Sequence, residues 1–460
     1  MTNQPKKATT RRKPATLNNK IPPAYFLSLE VENFLCFKDK QKIDLSVNNN
    51  YPAQWTVILG NNGVGKTTLL RCLAGMEVNQ EYIDEDNGFI SLPALSYFLH
   101  DKSIWKELNT FESDLSMVKT NLFTGSNLSA IKRFENVEFQ THYSFGVFGD
   151  SLVGGTNELE GLICYGYGAT RRTGTTSLSV KSSKHSESLF SDNANLINAE
   201  EWLLQTDYAV KSSSGQTRSR LKKQFEHIIE ILKRVLPDID DIRIAPVNKE
   251  RERPIAEFLT PYGWVQLSSL GLGYRTTIAW MVDLAVRLFK RYPDSEDPLA
   301  EPAIVLVDEI DLHMHPKWQR DIMQFLTDRF PNTQFIVTAH SPLVVQAAQD
   351  ANIVLLRREG DRVVIDNNPE IIENWRVDQV LTSVFEMPSA RPAKIEPLLQ
   401  RRKELLTKPK LTPSDRAELK ELEAQIGTLP TAETSEDIKA MDIIRRAAKL
   451  LDRPVTEAVE

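Results

Sequence analysis

The chain carries the stretch Gly60-Asn61-Asn62-Gly63-Val64-Gly65-Lys66-Thr67, and its fold class follows from these residues. They match the complete phosphate-loop pattern G-x-x-x-x-G-K-[ST]. The apolar run 55–59 before them predicts a short buried strand, and residues 68–73 after them predict the first turns of a helix. A phosphate loop requires this strand-to-helix context, which disfavours the alternative of a chance glycine-rich turn.

Each residue type in this stretch suits a phosphate ligand. The glycines let successive backbone N–H groups point at phosphate oxygens, and the start of the following helix adds the positive end of its dipole. Lys66 reaches the outer phosphates and acts there in catalysis, while the Thr67 hydroxyl can ligate Mg²⁺. We therefore predict ATP and Mg²⁺ as ligands. The predicted binding residues are Asn61, Asn62, Gly63, Val64, Gly65, Lys66, Thr67 and Thr68.

Two later strands predict the rest of a nucleotide site. The apolar run 303–307 is typical of a buried parallel strand and ends in Asp308 and Glu309, and the predicted strand 334–338 leads to His340. The carboxyl ends of parallel strands meet at one edge of an open α/β sheet. We expect Asp308 to hold the Mg²⁺ water shell. Glu309 is expected to polarise the attacking water, and His340 to contact the γ-phosphate or orient that water.

Composition describes an ordinary globular protein of 460 residues, 41% hydrophobic and 26% charged, and the net charge of −6 argues against a general binder of polyanions. Residues 1–23 differ, since they carry six lysines and arginines and no acid. They predict a disordered solubilising tail or, second, an arm that touches nucleic acid. The helix predicted at 216–235 also starts with basic residues, which indicates a solvated face or, second, a nucleic-acid or partner contact.

Cysteine usage and hydropathy predict a cytoplasmic protein with no membrane association. Cys36, Cys72 and Cys164 are far apart, which favours reduced thiols over a zinc site or a disulfide framework. No run approaches the roughly 18–20 apolar residues that a membrane span needs, and no secretory signal is visible.

The order of motifs resembles one family of ATPases. The phosphate loop, a glycine turn at 267–275, the Asp-Glu pair and the histidine occur in the order found in ABC-type ATPases of the recombination-and-repair branch, the RecF, Rad50 and SMC heads. Residues 29–34 resemble the opening strand of those heads. The resemblance covers roughly residues 25–390. It implies an α/β fold, a P-loop ABC-type ATPase head with a helical insertion and a helical C-terminal region.

The predicted domains follow from this resemblance and from composition. The tail occupies residues 1–23, and the ATPase domain residues 24–391, with its helical insert at about 77–245. Beyond the domain, residues 392–460 are rich in charged helix-formers, which predicts a helical region for docking a partner.

Three stretches are closer to a narrower bacterial group, the ATPase subunits of anti-phage systems such as Septu, including retron-associated versions. These stretches are Tyr165-Gly166-Tyr167-Gly168-Ala169-Thr170-Arg171-Arg172, Glu201-Trp202-Leu203, and Asp308-Glu309-Ile310-Asp311-Leu312-His313-Met314-His315-Pro316-Lys317-Trp318-Gln319. This resemblance implies a PtuA-like regulatory ATPase that forms a homo-oligomer, a head-to-head dimer or larger, and controls a separate HNH-type (PtuB-like) nuclease. In a retron version, a reverse transcriptase and its RNA–DNA product would be further partners.

In such ATPases the glycine turn of one protomer closes on the γ-phosphate held by the other. The resemblance implies this role for Ser268, Ser269, Gly271 and Gly273. The family usually has Leu-Ser-x-Gly directly before Tyr-Arg, whereas Gly271 stands at the serine position here. Either Ser269 supplies the hydroxyl or the contact is absent, and slow hydrolysis is expected. Leu35 also departs from the basic residue often found in repair heads, and a clear Q-loop glutamine is missing, its region corresponding to 167–171.

Three alternatives stay open. A RecF-like DNA-repair ATPase would show DNA-stimulated hydrolysis, and a nucleotide-gated scaffold would show negligible turnover. The third and least favoured is a metal-dependent nuclease cluster built on His313 and His315 with the neighbouring acids. The sequence shows no Toprim or HNH pattern, so we expect the chain not to be a nuclease itself.

Overall fold

The structure, a computed structural model, describes residues 24–32, 34–47, 51–76, 117–124, 141–148, 151–153, 162–174, 185–236, 238–249, 252–348, 350–367, 369, 376–387, 390, 392–408 and 412–426. The chain divides into two units, residues 1–380 and 381–460. The predicted tail, 1–23, lies outside the described residues. In the described part, no helix has both the length and the apolar composition needed to cross a membrane.

The first unit holds all the described strands. They are β1 (Ala24–Glu32), β2 (Gln41–Asp44), β3 (Ser46–Val47), β4 (Tyr51–Pro52), β5 (Trp55–Gly60), β6 (Met117–Thr124), β7 (Thr141–Phe148), β8 (Ser151–Val153), β9 (Cys164–Tyr167), β10 (Asp241–Ala245), β11 (Ile255–Thr260), β12 (Gly263–Gln266), β13 (Ala303–Val307), β14 (Thr333–Thr338), β15 (Asn352–Glu359) and β16 (Arg362–Asp366).

Helices follow or connect these strands. They are α1 (Lys66–Ala74), α2 (Glu187–Phe190), α3 (Ala199–Ser212), α4 (Gly215–Val235), α5 (Leu272–Arg291), α6 (Pro316–Arg329), α7 (Pro342–Ala347), α8 (Val377–Ser383), α9 (Glu396–Leu406) and α10 (Pro413–Ile426), with single 3₁₀ turns at Leu267–Ser269 and Pro298–Ala300.

A six-stranded sheet in the order β16-β15-β5-β14-β13-β9 forms the centre of the first unit. All its neighbouring strands are parallel except β15 and β16, which form an antiparallel hairpin. Every residue of β5, β13 and β14 is buried, as expected for strands covered on both faces. Strand β14 lies between β5 and β13, so the carboxyl ends of these three strands meet at one edge. The predicted α/β P-loop fold is confirmed.

A second, antiparallel sheet has the order β2-β1-β6-β7-β8. The buried Gln334 side chain on β14 joins it to the central sheet, because its amide accepts from Phe26 N at 2.8 Å and donates to Phe26 O at 2.8 Å. The bond lies at the irregularity in β1 between Phe26 and Ser28. Leucines of α1, including Leu69 and Leu70, are buried in one core with residues of both sheets, which fixes the helix that follows the phosphate loop.

Within the predicted helical insert, about 77–245, the helices of the described residues are α2, α3 and α4, and much of the first half of the insert lies outside the described residues. Helices α3 and α4 run antiparallel to each other as a hairpin there, and the basic start of α4 is exposed. Earlier in the insert, β6, β7 and β8 extend the antiparallel sheet from β1. These three strands were not predicted, because their formation depends on pairing that begins at distant β1 and not on local sequence.

The second unit, described by itself, contains the hairpin of α9 and α10. Arg401 on α9 donates to both carboxylate oxygens of Glu418 on α10, at 2.6 and 3.1 Å. Both helices lie in the C-terminal region that was predicted to be helical, and residues 427–460 of that region lie outside the described residues.

Candidate functional site

The phosphate loop adopts backbone angles that favour glycine. Gly60, Gly63 and Gly65 have φ values of 144°, 79° and 88°. A Cβ atom at Gly65 would also lie 2.6 Å from Cys36 Sγ. Glycine at position 65 is therefore required twice, by its backbone conformation and by the close approach of Cys36. The loop then leads directly into α1, whose N-cap is Gly65.

Lys66 lies folded back across its own loop. Its Nζ donates to the carbonyl oxygens of Gly60 at 2.8 Å and Asn61 at 2.9 Å. The side chain is buried, and this burial lowers its pKa, although the nearby carboxylates of Asp308 and Glu309 oppose the shift. The loop thus holds a desolvated cation next to two acids, which suits binding of a polyanionic phosphate group.

Asp308 connects α1, the helix that follows the phosphate loop, to the central sheet. Thr67 Oγ1 donates to Asp308 Oδ2 at 2.7 Å, and Thr338 Oγ1 donates to Asp308 Oδ1 at 2.6 Å. A hydroxyl and a carboxylate oxygen therefore converge beside the loop, and Mg²⁺ prefers such oxygen ligands. Thr67 and Asp308 fit the predicted metal role.

Glu309 begins a tight turn. Its φ is 49°, and its backbone N–H donates to Thr338 Oγ1 at 2.7 Å. Two residues later, the Asp311 carboxylate accepts from the backbone N–H of His340 at 3.1 Å. This bond ties the end of β13 to the segment that follows β14. The sequence predicted only that the ends of β13 and β14 lie at the same edge of the sheet. In the structure, the segments at these two ends are also hydrogen-bonded to each other.

A cavity of about 460 Å³ lies over the phosphate loop. It brings together most of the predicted site and two further residues near the start of the chain, Leu35 and Cys36. Its lining is Leu35, Cys36, Asn62, Gly63, Gly65, Lys66, Thr67, Thr68, Asp308, Glu309 and His340. Of the predicted loop residues, Val64 is instead buried in the core, and Asn61 contributes its carbonyl to Lys66.

The predicted glycine turn does not line this cavity. Ser268 and Ser269 are exposed in a 3₁₀ turn, and Gly271 is the N-cap of α5. A Cβ at Gly273 would lie 2.1 Å from the carbonyl oxygen of His313, so packing of α5 on the turn after Glu309 requires a glycine there. The role of these residues toward a second protomer stays a prediction.

His313 and His315 have local structural roles. His313 has a φ of 62° and presents its carbonyl to α5, while His315 Nδ1 accepts from Lys317 N at 3.3 Å and caps α6. Among the described residues, no group of three or more His, Cys, Asp or Glu side chains is placed to hold a metal ion.

Two residues of the site were not assigned a role from the sequence. Thr338 bridges Asp308 and Glu309, and its only sequence signal is a polar residue at the end of an apolar strand. Arg171 donates through Nη2 to the carbonyl oxygens of Asp308 and Glu309, both at 2.6 Å. Arg171 belongs to the 165–172 stretch that carried the family resemblance, but nothing local indicates that it would reach β13.

Family models match two segments of the chain. Residues 28–140 match an AAA domain, and residues 176–346 match the family described as "AAA domain, putative AbiEii toxin, Type IV TA system". The first match contains the phosphate loop, and the second contains Asp308, Glu309 and His340. Both halves of the site therefore fall in segments similar to AAA ATPase domains.

Curated relatives come from two kinds of system. The Septu protein PtuA of Bacillus mycoides is 27% identical over 416 residues, which cover 86% of this chain and 50% of the relative. The "Retron Ec83 probable ATPase" of Escherichia coli is 31% identical over 242 residues, 52% of this chain and 41% of the relative. The chain thus spans half or less of the length of these relatives.

Among solved structures, an SMC head bound to the C-winged helix domain of ScpA is 16% identical, with a TM-score of 0.40, and the match covers 74% of this chain and 97% of that one. The relationship expected from the sequence is confirmed by the curated relatives and the family models. The chain has a P-loop ATPase fold and is related to the Septu protein PtuA and to retron ATPases.

Proposed function

We propose that the chain binds Mg²⁺ and ATP in the cavity over the phosphate loop and hydrolyses ATP to ADP and phosphate. We further propose that it acts as a regulatory subunit of an anti-phage defence complex. The convergence of Thr67, Asp308 and Glu309 carries the first of these proposals. A hydroxyl and a carboxylate for the metal, and a second carboxylate for the water, lie at one end of a phosphate-binding loop.

Each residue has a defined task in this proposal. The backbone N–H groups of the loop and the Lys66 ammonium bind the phosphate oxygens, and Lys66 exchanges its bonds to Gly60 and Asn61 for them. Mg²⁺ would be held by Thr67 and Asp308 and would neutralise charge on the phosphates. Glu309 accepts a proton from the attacking water, and His340, on the neighbouring strand end, orients that water or contacts the γ-phosphate.

The exposed glycine turn supports assembly of two heads. Ser269 and Gly271 lie at the surface, away from the cavity of their own chain, as residues that contact a nucleotide on a partner protomer would. With Gly271 in the usual serine position, Ser269 is the nearest hydroxyl along the sequence. The proposed assembly is a head-to-head dimer or a larger homo-oligomer.

The defence role rests on the Septu and retron relatives. The proposed partner is an HNH-type nuclease whose access to nucleic acid depends on the nucleotide state of this chain. In a retron context, a reverse transcriptase and its RNA–DNA product are further partners. The second unit, with its exposed charged helices α9 and α10, is the proposed docking region for the nuclease.

Hydrolysis is tested with Glu309→Gln in the full-length protein. Removing the base is expected to lower kcat about 10²- to 10³-fold, because general base catalysis contributes 10²–10⁴-fold, while the Kd for ATP stays within about threefold. The matched control is Glu230→Gln, a substitution of an exposed glutamate on α4. Equal kcat values for the two variants would contradict the role of Glu309. Tight ATP binding by a parent protein without turnover would favour the nucleotide-gated scaffold.

The partner is tested by purifying the tagged full-length protein from cells that carry its native locus. Recovery of an HNH-type nuclease with bound ATP or ADP, identified by mass spectrometry and nucleotide extraction, is the expected result. Recovery with repair proteins and DNA, together with DNA-stimulated ATP hydrolysis, would replace the defence proposal with the RecF-like alternative.

A further inference from the structure

Arg171 has a buried guanidinium that is hydrogen-bonded to the backbone of the candidate site. It follows edge strand β9, is 2% exposed, and donates through Nη2 to the carbonyl oxygens of Asp308 and Glu309 at 2.6 Å each. Its hydrogen bonds therefore go to two consecutive backbone carbonyls, that of the peptide linking the two acids and the next one along the chain. No carboxylate accepts a hydrogen bond from it in the described part of the chain.

Burying the charged guanidinium of Arg171 at this position carries a free-energy cost of desolvation. Its Nε and Nη1 have no hydrogen-bond partner within the residues that the structure describes, and burial lowers the pKa of Arg171 to about 10. The charges of Asp308, Asp311 and Glu309 oppose that shift without forming direct ion pairs. Burial of a guanidinium carries a desolvation cost, which the two hydrogen bonds to backbone carbonyls oppose.

The backbone of Glu309 is strained and is held by hydrogen bonds from within its turn, where Leu312 N donates to its carbonyl at 3.0 Å, and from two other segments. Its φ of 49° lies in the left-handed region, which is unfavourable for an L-residue other than glycine. Thr338 Oγ1 accepts its N–H, and Arg171 Nη2 binds its carbonyl. Both polar backbone atoms of this strained residue are therefore held by side chains, one from β14 and one from the segment after β9.

The backbone that follows Arg171 is held by hydrogen bonds to another segment of the chain. The next residue, Arg172, accepts through its carbonyl from Leu196 N at 2.8 Å, and Gly174 N donates to Leu196 O at 3.0 Å. These bonds attach the segment after Arg171 to the residues that lead into α3. The guanidinium thus projects from an anchored backbone, as a residue that positions a neighbour must.

We propose that Arg171 is a positioning residue for ATP hydrolysis: by holding the carbonyls of Asp308 and Glu309 it maintains the left-handed turn that directs the Glu309 carboxylate at the attacking water. The inference rests on the proposed function and adds to it a residue that lies outside the phosphate loop and the Asp-Glu pair. Arg171 acts through Glu309 and does not touch the nucleotide, so it contributes to kcat and not to nucleotide affinity.

The test compares Arg171→Lys and Arg171→Met with Arg172→Lys in the full-length protein. Arg172 is the matched control, since it is adjacent but exposed and its side chain contacts Asn193. Lysine retains the charge but cannot reproduce the fixed geometry of the guanidinium. Both Arg171 variants are expected to lower kcat about 10²-fold, as misplaced catalytic groups do, with KM and the Kd for ATP within about threefold of the parent.

Crystal structures of the parent protein and of Arg171→Lys provide a readout that does not need turnover. The expected result is a Glu309 turn that leaves the left-handed region in the variant. An unchanged turn, or a kcat equal to that of Arg172→Lys, would overturn the inference. A purely structural role predicts instead that ATP affinity and thermal stability fall together with kcat. If the parent itself lacks ATPase activity, the proposed function fails, and the conformation of residue 309 still decides whether Arg171 holds this turn.

Discussion

Thr67 Oγ1 and Asp308 Oδ2 lie 2.7 Å apart, although 241 positions separate the two residues in the chain. The bond joins the first turn of α1 to the end of β13. Asp308 uses its other oxygen to accept from Thr338, so the carboxylate is oriented by two hydroxyls. The proposed metal ligands are therefore brought together by the folded chain itself, which reduces the ordering that ligand binding would otherwise require.

Thr67→Ala should weaken ATP binding only when Mg²⁺ is present. The substitution removes one proposed ligand and one of the two hydroxyls that orient Asp308, and losses of this kind reduce metal affinity about 10- to 100-fold. Calorimetric titration with ATP, in Mg²⁺ and in EDTA, measures both conditions. An equal loss of affinity in EDTA would assign Thr67 to phosphate binding and not to the metal.

Gly65→Ala should abolish ATP binding, whereas Gly360→Ala should leave it unchanged. Both glycines have positive φ values, 88° and 65°, so alanine costs about 1–2 kcal/mol of backbone strain at either position. Only at Gly65 would the new Cβ also meet Cys36 Sγ, at 2.6 Å, whereas Gly360 has open space. ATP titrations and thermal unfolding of both variants check this. Similar affinities in the two variants would show that the loop tolerates a Cβ.

Asp283 should be a main determinant of stability. It is fully buried on α5 and accepts from Tyr167 OH, Ile197 N and Arg287 Nε at 3.0, 3.0 and 2.6 Å. Asp283→Asn leaves the Arg287 guanidinium without this carboxylate, which should lower the free energy of unfolding by about 3–5 kcal/mol.

The control for Asp283 is Asp207→Asn. Asp207 pairs with Lys211 at the same i,i+4 spacing but on the surface, where such pairs contribute about 1 kcal/mol or less. Chemical denaturation of the two variants gives the comparison. A loss below about 1 kcal/mol in Asp283→Asn would mean that the surrounding structure compensates for the missing charge.

Alkaline pH should destabilise the fold through its buried tyrosines. Burial raises the pKa of Tyr165 to about 12 and also raises the pKa values of Tyr25 and Tyr167 above the ordinary value of 10. Above pH 10 the unfolded chain loses these protons and the folded chain keeps them, so stability is full below pH 10 and falls as pH rises toward 12. Each such tyrosine should cost about 1.4 kcal/mol at pH 11.

Denaturation between pH 8 and pH 11 measures this loss. Tyr165→Phe removes one titrating group, so its stability should fall less steeply with pH than that of the parent. Identical slopes for the two proteins would exclude Tyr165 as a source of the pH dependence.

Local sequence was sufficient for the elements that carry the chemistry. A phosphate loop between a strand and a helix, and an apolar strand that ends in Asp308 and Glu309, are each contained in fewer than about 20 residues. Their periodicity and glycine spacing are short-range properties, so β5, α1, β13 and β14 could be predicted from neighbouring residues alone. The ligand class follows from the same residues.

Only the tertiary structure decided which distant residues complete the site. Strand β14 lies between β5 and β13, so Thr338 reaches Asp308, and Arg171 reaches the same turn across a separation of 137 positions. Strands β6, β7 and β8 likewise depend on pairing that begins at β1, so the sheet that they add within the predicted insert was not expected from the sequence. Sheet pairing and buried side-chain-to-backbone bonds depend on the order of strands in space, and that order has no local signal in the chain.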